Sequence, residues 1–154
     1  MAIPPFQVLL DSHRDAVYRF LVASVGRHDA DDCFQETFIA ALRAYPRLRD
    51  ASNLRSWILT IAHRKAIDSH RARRRRAIPV ENLPEQPVDP AFDGEPALWQ
   101  AVRELPAKQR AAILHRYVND LPYAEIGRIV GCSEAAARQN VRAGLASLRG
   151  AWQQ

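Results

Sequence analysis

Side chains that can read DNA bases cluster near the end of the chain. Residues 133–149 predict a helix whose exposed face holds Arg138, Gln139 and Arg142. Arginine can form two hydrogen bonds with guanine, and glutamine can form two with adenine. Ser133 suits the N-cap of this helix because its hydroxyl can accept a bond from a first-turn amide. This face therefore predicts contacts with base edges.

A shorter predicted helix precedes that face and supplies the rest of a motif. Its apolar residues recur at helical spacing between Tyr123 and Val130, and Gly131 suits the left-handed residue that ends a helix. Gly127 has no side chain and permits a close helix approach. Residues 122–149 therefore predict a helix-turn-helix that places a basic helix in the major groove.

The first half of the chain carries two further polar patterns. The predicted second helix turns its apolar residues inward and leaves an acid-rich ridge of Asp32, Gln35 and Glu36 outside. Its inward set is Phe34, Phe38, Ala41, Leu42 and Tyr45. Taken alone, the ridge reads as a solvated face with acidic residues near the positive end of a helix. A third helix carries a basic stripe of Arg64, Arg71 and Arg75, which is suited to phosphate contacts.

No constellation in the chain predicts catalysis or metal binding. His63 and His70 are interpreted as surface polar groups, because no nucleophile or carboxylate pair stands at a recognisable spacing from them. Cys33 and Cys132 are far apart and lack metal-ligand spacing. We therefore expect no catalytic residue, no metal, no cofactor and no disulfide.

The elements that position these groups are helical throughout. Apolar residues recur at helical spacing, and proline is expected to end the second helix at Pro46 and to begin helices at Pro96 and Pro106. Ser52 or Asn53 is the expected N-cap of the third helix. The fold class is therefore all-α, with two small helical domains, the second of which contains the helix-turn-helix.

Charge divides the chain into three blocks. The predicted domains span residues 1–76 and 97–154, and both are basic. Residues 77–96 contain five prolines and five acidic residues without a basic one, which predicts a flexible acidic linker. The net charge of +5 and pI of about 9.8 favour an anionic partner. No apolar run is long enough for a membrane span, and no signal peptide is evident, so we expect a cytoplasmic protein.

Several segments together resemble one family, in the family's order. They are Asp31-Asp-Cys-Phe-Gln-Glu-Thr-Phe38, Leu54-Arg-Ser-Trp-Ile58, Ile61-Ala62 through Ala66-Ile-Asp68 and Arg71, Leu105-Pro106, Tyr123-Ala-Glu-Ile-Gly127 and Gly131-Cys-Ser133. This set resembles bacterial RNA polymerase sigma factors of the sigma-seventy family, in the extracytoplasmic-function group. The similarity spans about residues 10–149.

The resemblance implies a non-catalytic specificity subunit of RNA polymerase, monomeric when free. Region two would bind the β′ clamp of core polymerase and the melted minus-ten strand, and region four would bind the duplex minus-thirty-five element and the β flap. An anti-sigma factor is a further implied partner. The implied clamp-binding residues are Asp31, Asp32, Gln35 and Glu36. The implied minus-ten residues are Asn53, Trp57, Arg64, Lys65 and Arg71. The implied minus-thirty-five residues are Ser133, Arg138, Gln139 and Arg142.

Two departures from the family pattern and two alternative functions stand beside this interpretation. The chain has His63-Arg64 where the family often has Arg-Asn, and Ala143-Gly144-Leu145 where it often has a basic run. Glycine inside a helix costs about 1 kcal/mol relative to alanine, so the last helix is expected to fray or bend at Gly144. The alternatives are a stand-alone helix-turn-helix regulator and an RNA-binding or RNA-processing protein. Binding to core polymerase separates all three.

Overall fold

The computed structural model describes residues 3–76 and 96–152, and these residues form helices without any strand. The helices are α1 (Phe6–Val25), α2 (Arg27–Ala44), α3 (Leu54–Arg76), α4 (Pro96–Arg103), α5 (Ala107–Tyr117), α6 (Tyr123–Val130) and α7 (Glu134–Trp152), with a short 3-10 helix at Tyr45–Arg47. The all-α prediction is confirmed. The predicted linker lies outside the described residues, except that Pro96 belongs to α4 and not to the linker.

Helices α1, α2 and α3 form an N-terminal bundle. Val17, Phe20 and Leu21 of α1 are fully buried in it, and Ile58 and Leu59 of α3 pack into the same core. Asn53 is the N-cap of α3, because its side-chain oxygen accepts a bond from the Ser56 amide at 3.0 Å. Helix α2 ends at Ala44, and Pro46 lies in the 3-10 helix that follows it, so the predicted end of the second helix near Pro46 is confirmed.

Helices α4 to α7 form a C-terminal bundle around Val102, Leu114, Ile126 and Val141, which are all buried. Pro96 is the first residue of α4, and Pro106 directly precedes α5. Proline suits these positions because the first amides of a helix have no intrahelical acceptor to lose. The predicted helix starts at Pro96 and after Pro106 are therefore confirmed.

The two bundles pack directly against each other. Helix α6 lies on α3, while α4 and α5 lie on α1, and the buried side chains of both bundles belong to one apolar cluster. We call this junction the seam. Polar contacts cross it as well: the Asn119 side chain donates to the Ala16 carbonyl at 3.1 Å, and Arg103 donates to the Val22 carbonyl at 3.3 Å.

Within the described ranges, no helix combines the length and the apolar character that crossing a bilayer would require.

Candidate nucleic-acid interface

The predicted helix-turn-helix is present in α6 and α7, and its turn is closed by backbone bonds. Gly131 adopts the left-handed conformation (φ 84°, ψ 40°), and its amide donates to the Gly127 carbonyl at 2.8 Å. The Cys132 amide donates to the same carbonyl at 2.9 Å. Ser133 then caps α7, because its hydroxyl accepts a bond from the Ala136 amide at 3.0 Å. Both terminal residues of the turn therefore have their predicted roles.

Gly127 holds the turn against α6. A Cβ atom built on this residue would lie 2.6 Å from the Cys132 carbonyl oxygen, closer than a side chain can approach backbone. The glycine thus allows the turn to fold back tightly over the helix. This agrees with the close approach expected at this position.

The predicted DNA-reading face of α7 is exposed. Arg138, Gln139 and Arg142 are accessible to solvent, whereas Ala137 and Val141 of the same helix are buried. The Arg138 guanidinium lies 4.9 Å from the centre of the Tyr123 ring. It also lies 3.5 Å from the Glu134 carboxylate, one turn earlier. Arg138 is thus oriented by neighbours that α6 and α7 supply.

The expectation that α7 frays at Gly144 is wrong. The helix continues through this residue to Trp152, and Gly144 is buried. A Cβ atom there would lie 2.3 Å from the Cδ1 atom of Ile113 in α5. The glycine therefore creates room for α5 to pack, and this packing offsets its poor helix propensity.

The acid-rich ridge lies on the exposed face of α2. Asp31, Asp32, Gln35 and Glu36 are all accessible to solvent, and the Tyr18 hydroxyl donates to Asp31 at 3.1 Å. The ridge is thus available to a partner.

The apolar side chains of α2 divide between the core and the surface. Phe38 and Ala41 are buried, and Phe34 and Tyr45 are half-buried. Leu42, however, is 55% exposed, so its predicted inward orientation is wrong. Ile39 is also 49% exposed, and it follows the ridge along the helix. An apolar extension of the ridge was thus missed by the sequence analysis.

The residues assigned to the minus-ten strand differ in their surroundings. Arg64 and Arg71 are exposed on α3, as the basic stripe requires. Trp57 is half-buried, with its ring centre 6.0 Å from that of Tyr45. Asn53 uses its side-chain oxygen to cap α3. The two arginines are therefore the members of this group whose side chains are most open to a ligand.

Lys65 has a different neighbourhood from the rest of its group. It is half-buried and lines a groove between α2 and α3 together with Asp32, Glu36 and Arg73. The structure thus brings a residue that was assigned to DNA next to the acidic ridge.

An ion pair across the seam was not anticipated from the sequence. Arg55, near the start of α3, donates to both carboxylate oxygens of Glu125 in α6, at 2.8 and 2.6 Å. Glu125 is 5% exposed, and its bond with Arg55 lowers the pKa of its carboxyl. The same bond raises the pKa of Arg55. We call this contact the Arg55–Glu125 clasp.

The interpretation of His63 and His70 as surface groups is wrong. His63 is 6% exposed and His70 is half-buried, with its Nε2 atom 2.9 Å from the Ser24 carbonyl oxygen. Burial lowers the pKa of each ring to about 4, and nearby arginines add to the effect. Each ring is therefore held neutral at pH 7.

Both halves of the chain match models of one protein family. Residues 9–76 match the model of sigma-70 region 2, and residues 96–148 match that of sigma-70 region 4. SigD, an extracytoplasmic-function sigma factor of Mycobacterium tuberculosis, is 34% identical over 84% of this chain and 68% of its own length. The chain belongs to the extracytoplasmic-function group of the sigma-70 family. The resemblance noted from the sequence motifs is thereby confirmed.

Other members of the sigma-70 family extend beyond the length of this chain. SigE of Mycolicibacterium smegmatis is 32% identical over 96% of this chain, which corresponds to 62% of SigE. BldN of Streptomyces coelicolor is 31% identical over 86% of this chain and 54% of BldN. The chain thus spans between about half and two thirds of the length of these two relatives.

Solved structures share the fold over almost the whole chain. The sigma factor RpoE of Bartonella quintana, solved with the anti-sigma factor NepR, superposes with a TM-score of 0.77, 22% identity and 96% coverage of both chains. CnrH, solved with the cytosolic domain of CnrY, gives a TM-score of 0.73 and 20% identity over 96% of this chain and 87% of CnrH. At these identities the superpositions show a common fold.

Proposed function

We propose that this sigma-70 family protein binds core RNA polymerase and directs promoter-specific initiation of transcription. The observation that carries the proposal is the presence, on one chain and in order, of both family regions, each with its own exposed polar surface. Membership of this family favours the sigma-factor function over the two alternatives, a stand-alone regulator and an RNA-processing protein. Neither alternative accounts for region 2.

The proposed division of work follows the two bundles. Residues 1–76 would bind core polymerase and the minus-ten element, and residues 97–154 would bind the minus-thirty-five element and the flap. The predicted acidic linker would connect them. A subunit that only directs core RNA polymerase to promoters would itself be non-catalytic, and it would lie in the cytoplasm, where the polymerase works.

The acidic ridge of α2 is the proposed surface for the β′ clamp. It combines exposed carboxylates, Asp31, Asp32 and Glu36, with the exposed apolar side chains of Ile39 and Leu42. Apolar side chains ringed by charges are typical of surfaces that bind proteins. The apolar extension thus supports a protein partner for this ridge.

The exposed arginines of α3 and α7 are the proposed DNA contacts. Arg64 and Arg71 would bind phosphates of the melted strand, and Arg142 with Gln139 would meet base edges in the duplex. Trp57 would contact the minus-ten strand through the part of its half-buried ring that is accessible to solvent. An anti-sigma factor is a further proposed partner, since the fold neighbour RpoE was solved in complex with one.

The test combines a pull-down with transcription. Purified chain mixed with core polymerase from its own host should be retained by the polymerase and should yield promoter-specific transcripts. Failure to bind core polymerase would refute the proposal.

Glu36→Lys tests the ridge within the same assay. We expect this change to weaken core binding at least tenfold without altering the thermal midpoint, because Glu36 is exposed. Glu104→Lys, at an exposed position outside the ridge, is the matched control and should bind core normally. A loss of helicity in Glu36→Lys would show that the ridge is structural.

A further inference from the structure

Two histidine rings lie inside the seam between the bundles. His115 of α5 is fully buried and stacks on Phe20 of α1, with ring centres 4.3 Å apart and planes inclined by 13°. The buried ring of His63, on α3, lies edge-on to His115 with centres 6.4 Å apart. These rings belong to different bundles, so separating the bundles would expose both of them to water.

The seam offers these rings little to stabilise a positive charge. Among the described residues, neither ring nitrogen of His115 has a hydrogen-bond partner. The charged groups that face His63 are the cations Arg110 and Lys108 from α5 and Arg64 from its own helix, and the titratable group that faces His115 is His63 itself. A proton on either ring would therefore be buried, poorly solvated and repelled by its surroundings.

The other seam groups leave this pair distinct. His70 is half-buried, and its Nε2 atom lies 2.9 Å from the Ser24 carbonyl oxygen of its own bundle; burial lowers the pKa of its ring, and Arg110 of α5 adds to this. His13 faces the Arg55–Glu125 clasp; burial lowers the pKa of its ring, Arg55 lowers it further, and Glu125 opposes them. His63 and His115 are thus the rings whose solvation depends most directly on the packing of one bundle against the other.

We propose that His63 and His115 make the packing of the two bundles sensitive to acid, so that protonation of these rings drives the bundles apart. When the bundles separate, each histidine ring reaches water and can bind a proton. The charged ring is then disfavoured in the buried seam, so the bundles stay apart. The proposal concerns this chain alone and does not depend on its binding to polymerase.

The direction of the effect follows from proton linkage. Burial lowers the pKa of His63 to about 4 and of His115 to about 3, whereas an exposed histidine titrates near 6.5. The closed arrangement is therefore fully favoured above pH 6.5 and loses stability as pH falls from 6.5 toward 4. At pH 5.5, each ring should raise the opening constant about tenfold, and both rings about 100-fold.

The clasp does not titrate in this window. The pKa of Glu125 is lowered from its ordinary value, so its carboxylate stays charged at pH 5.5. Its contribution is present above the ordinary carboxyl range and is lost only as pH falls through the lowered pKa. Opening at pH 5.5 would thus report the histidines and not the clasp.

Fluorescence energy transfer between the bundles tests the proposal. Dyes attached to Cys replacing the exposed Arg43 and Ser147, with both native cysteines replaced by alanine, report separation during urea titrations at pH 7.5 and 5.5. Far-UV circular dichroism, measured in parallel, reports helix loss. We expect the opening constant extrapolated to water to rise about 100-fold at pH 5.5, with transfer lost before helicity.

The matched variant replaces the titrating rings with apolar side chains. His63→Leu with His115→Phe should cut the acid-induced rise in the opening constant from about 100-fold to about tenfold or less, because His70 and His13 remain, whereas His28→Gln, at an exposed site on α2, should keep the full acid response. An unchanged acid response in the double variant would overturn the proposal. Coincident loss of transfer and helicity in the labelled protein that keeps both histidines would also overturn it, because acid would then act on global unfolding.

A second measurement needs no variant. Nuclear magnetic resonance titration of the natural chain should give apparent pKa values well below 6.5 for the His63 and His115 rings. An ordinary value for either ring would refute its place in the device.

Discussion

The Arg55–Glu125 clasp gives the sharpest test of the packed arrangement. Arg55→Gln removes the cation and leaves the Glu125 carboxylate, which is 6% exposed at its side chain, without its partner across the seam. Glu125→Gln removes the charge and keeps the shape. Combining the two changes in a double-mutant cycle isolates the coupling between the side chains.

The expected magnitude follows from the geometry of the pair. Two charge-assisted bonds of 2.8 and 2.6 Å would contribute about 3 kcal/mol if both partners were buried. Arg55, however, is 45% exposed at its side chain, and water screens part of that interaction. We therefore expect a coupling of about 1–2 kcal/mol, and a loss of about 2 kcal/mol in Arg55→Gln.

Urea unfolding of the four proteins in the cycle measures this coupling at pH 7.5. The Arg138–Glu134 pair is an internal control, because it lies within one helix, measures 3.5 Å, and is 48% and 56% exposed. A cycle on that pair should give about 0.3–0.5 kcal/mol. If the clasp couples no more strongly than this surface pair, then burial of Glu125 does not strengthen it and the reasoning fails.

Three further predictions concern the helix-turn-helix. Gly127→Ala should lower the free energy of unfolding by about 1–2 kcal/mol, because the new Cβ meets the Cys132 carbonyl. Gly150→Ala is the control, since no atom lies within 4 Å of its new Cβ, and it should be neutral or slightly stabilising. Equal effects of the two changes in thermal denaturation would contradict this. Ser133→Ala should cost about 1 kcal/mol through loss of the α7 cap, and an unchanged melting midpoint would exclude that role. Arg142→Ala should reduce minus-thirty-five recognition in DNA-binding assays with reconstituted holoenzyme while core binding persists; loss of both would contradict the assignment of α7.

Local features of the fold were predictable because their causes are local. A serine or asparagine oxygen reaches an amide two or three residues away, so Ser133 could be identified as a cap from position alone, and the cap of α3 could be narrowed to Ser52 or Asn53, of which the structure shows Asn53. Gly131 could be identified for the same reason, since its left-handed conformation ends α6. The exposed face of α7 followed from helical periodicity.

Features that depend on distant segments were not predictable from spacing. Glu125 is part of a family motif, but nothing near it in sequence shows that it will be buried and will form an ion pair with Arg55, 70 positions earlier. His63 was misread because its burial requires α5 of the other bundle. Gly144 looked unfavourable because helix propensity is local, whereas the room it makes for Ile113 is tertiary.

The packed seam leaves the proposed contact surfaces largely accessible. The ridge residue Glu36, the α3 arginine Arg64 and the α7 arginine Arg142 are all exposed while α6 lies on α3. Packing of the two bundles therefore leaves the two proposed DNA-binding faces exposed, and it fixes the distance between them. A partner that needs another separation binds only the open fraction, and its apparent affinity falls by that fraction. Weakening the seam would then raise the apparent affinity for such a partner without altering any residue that contacts the partner.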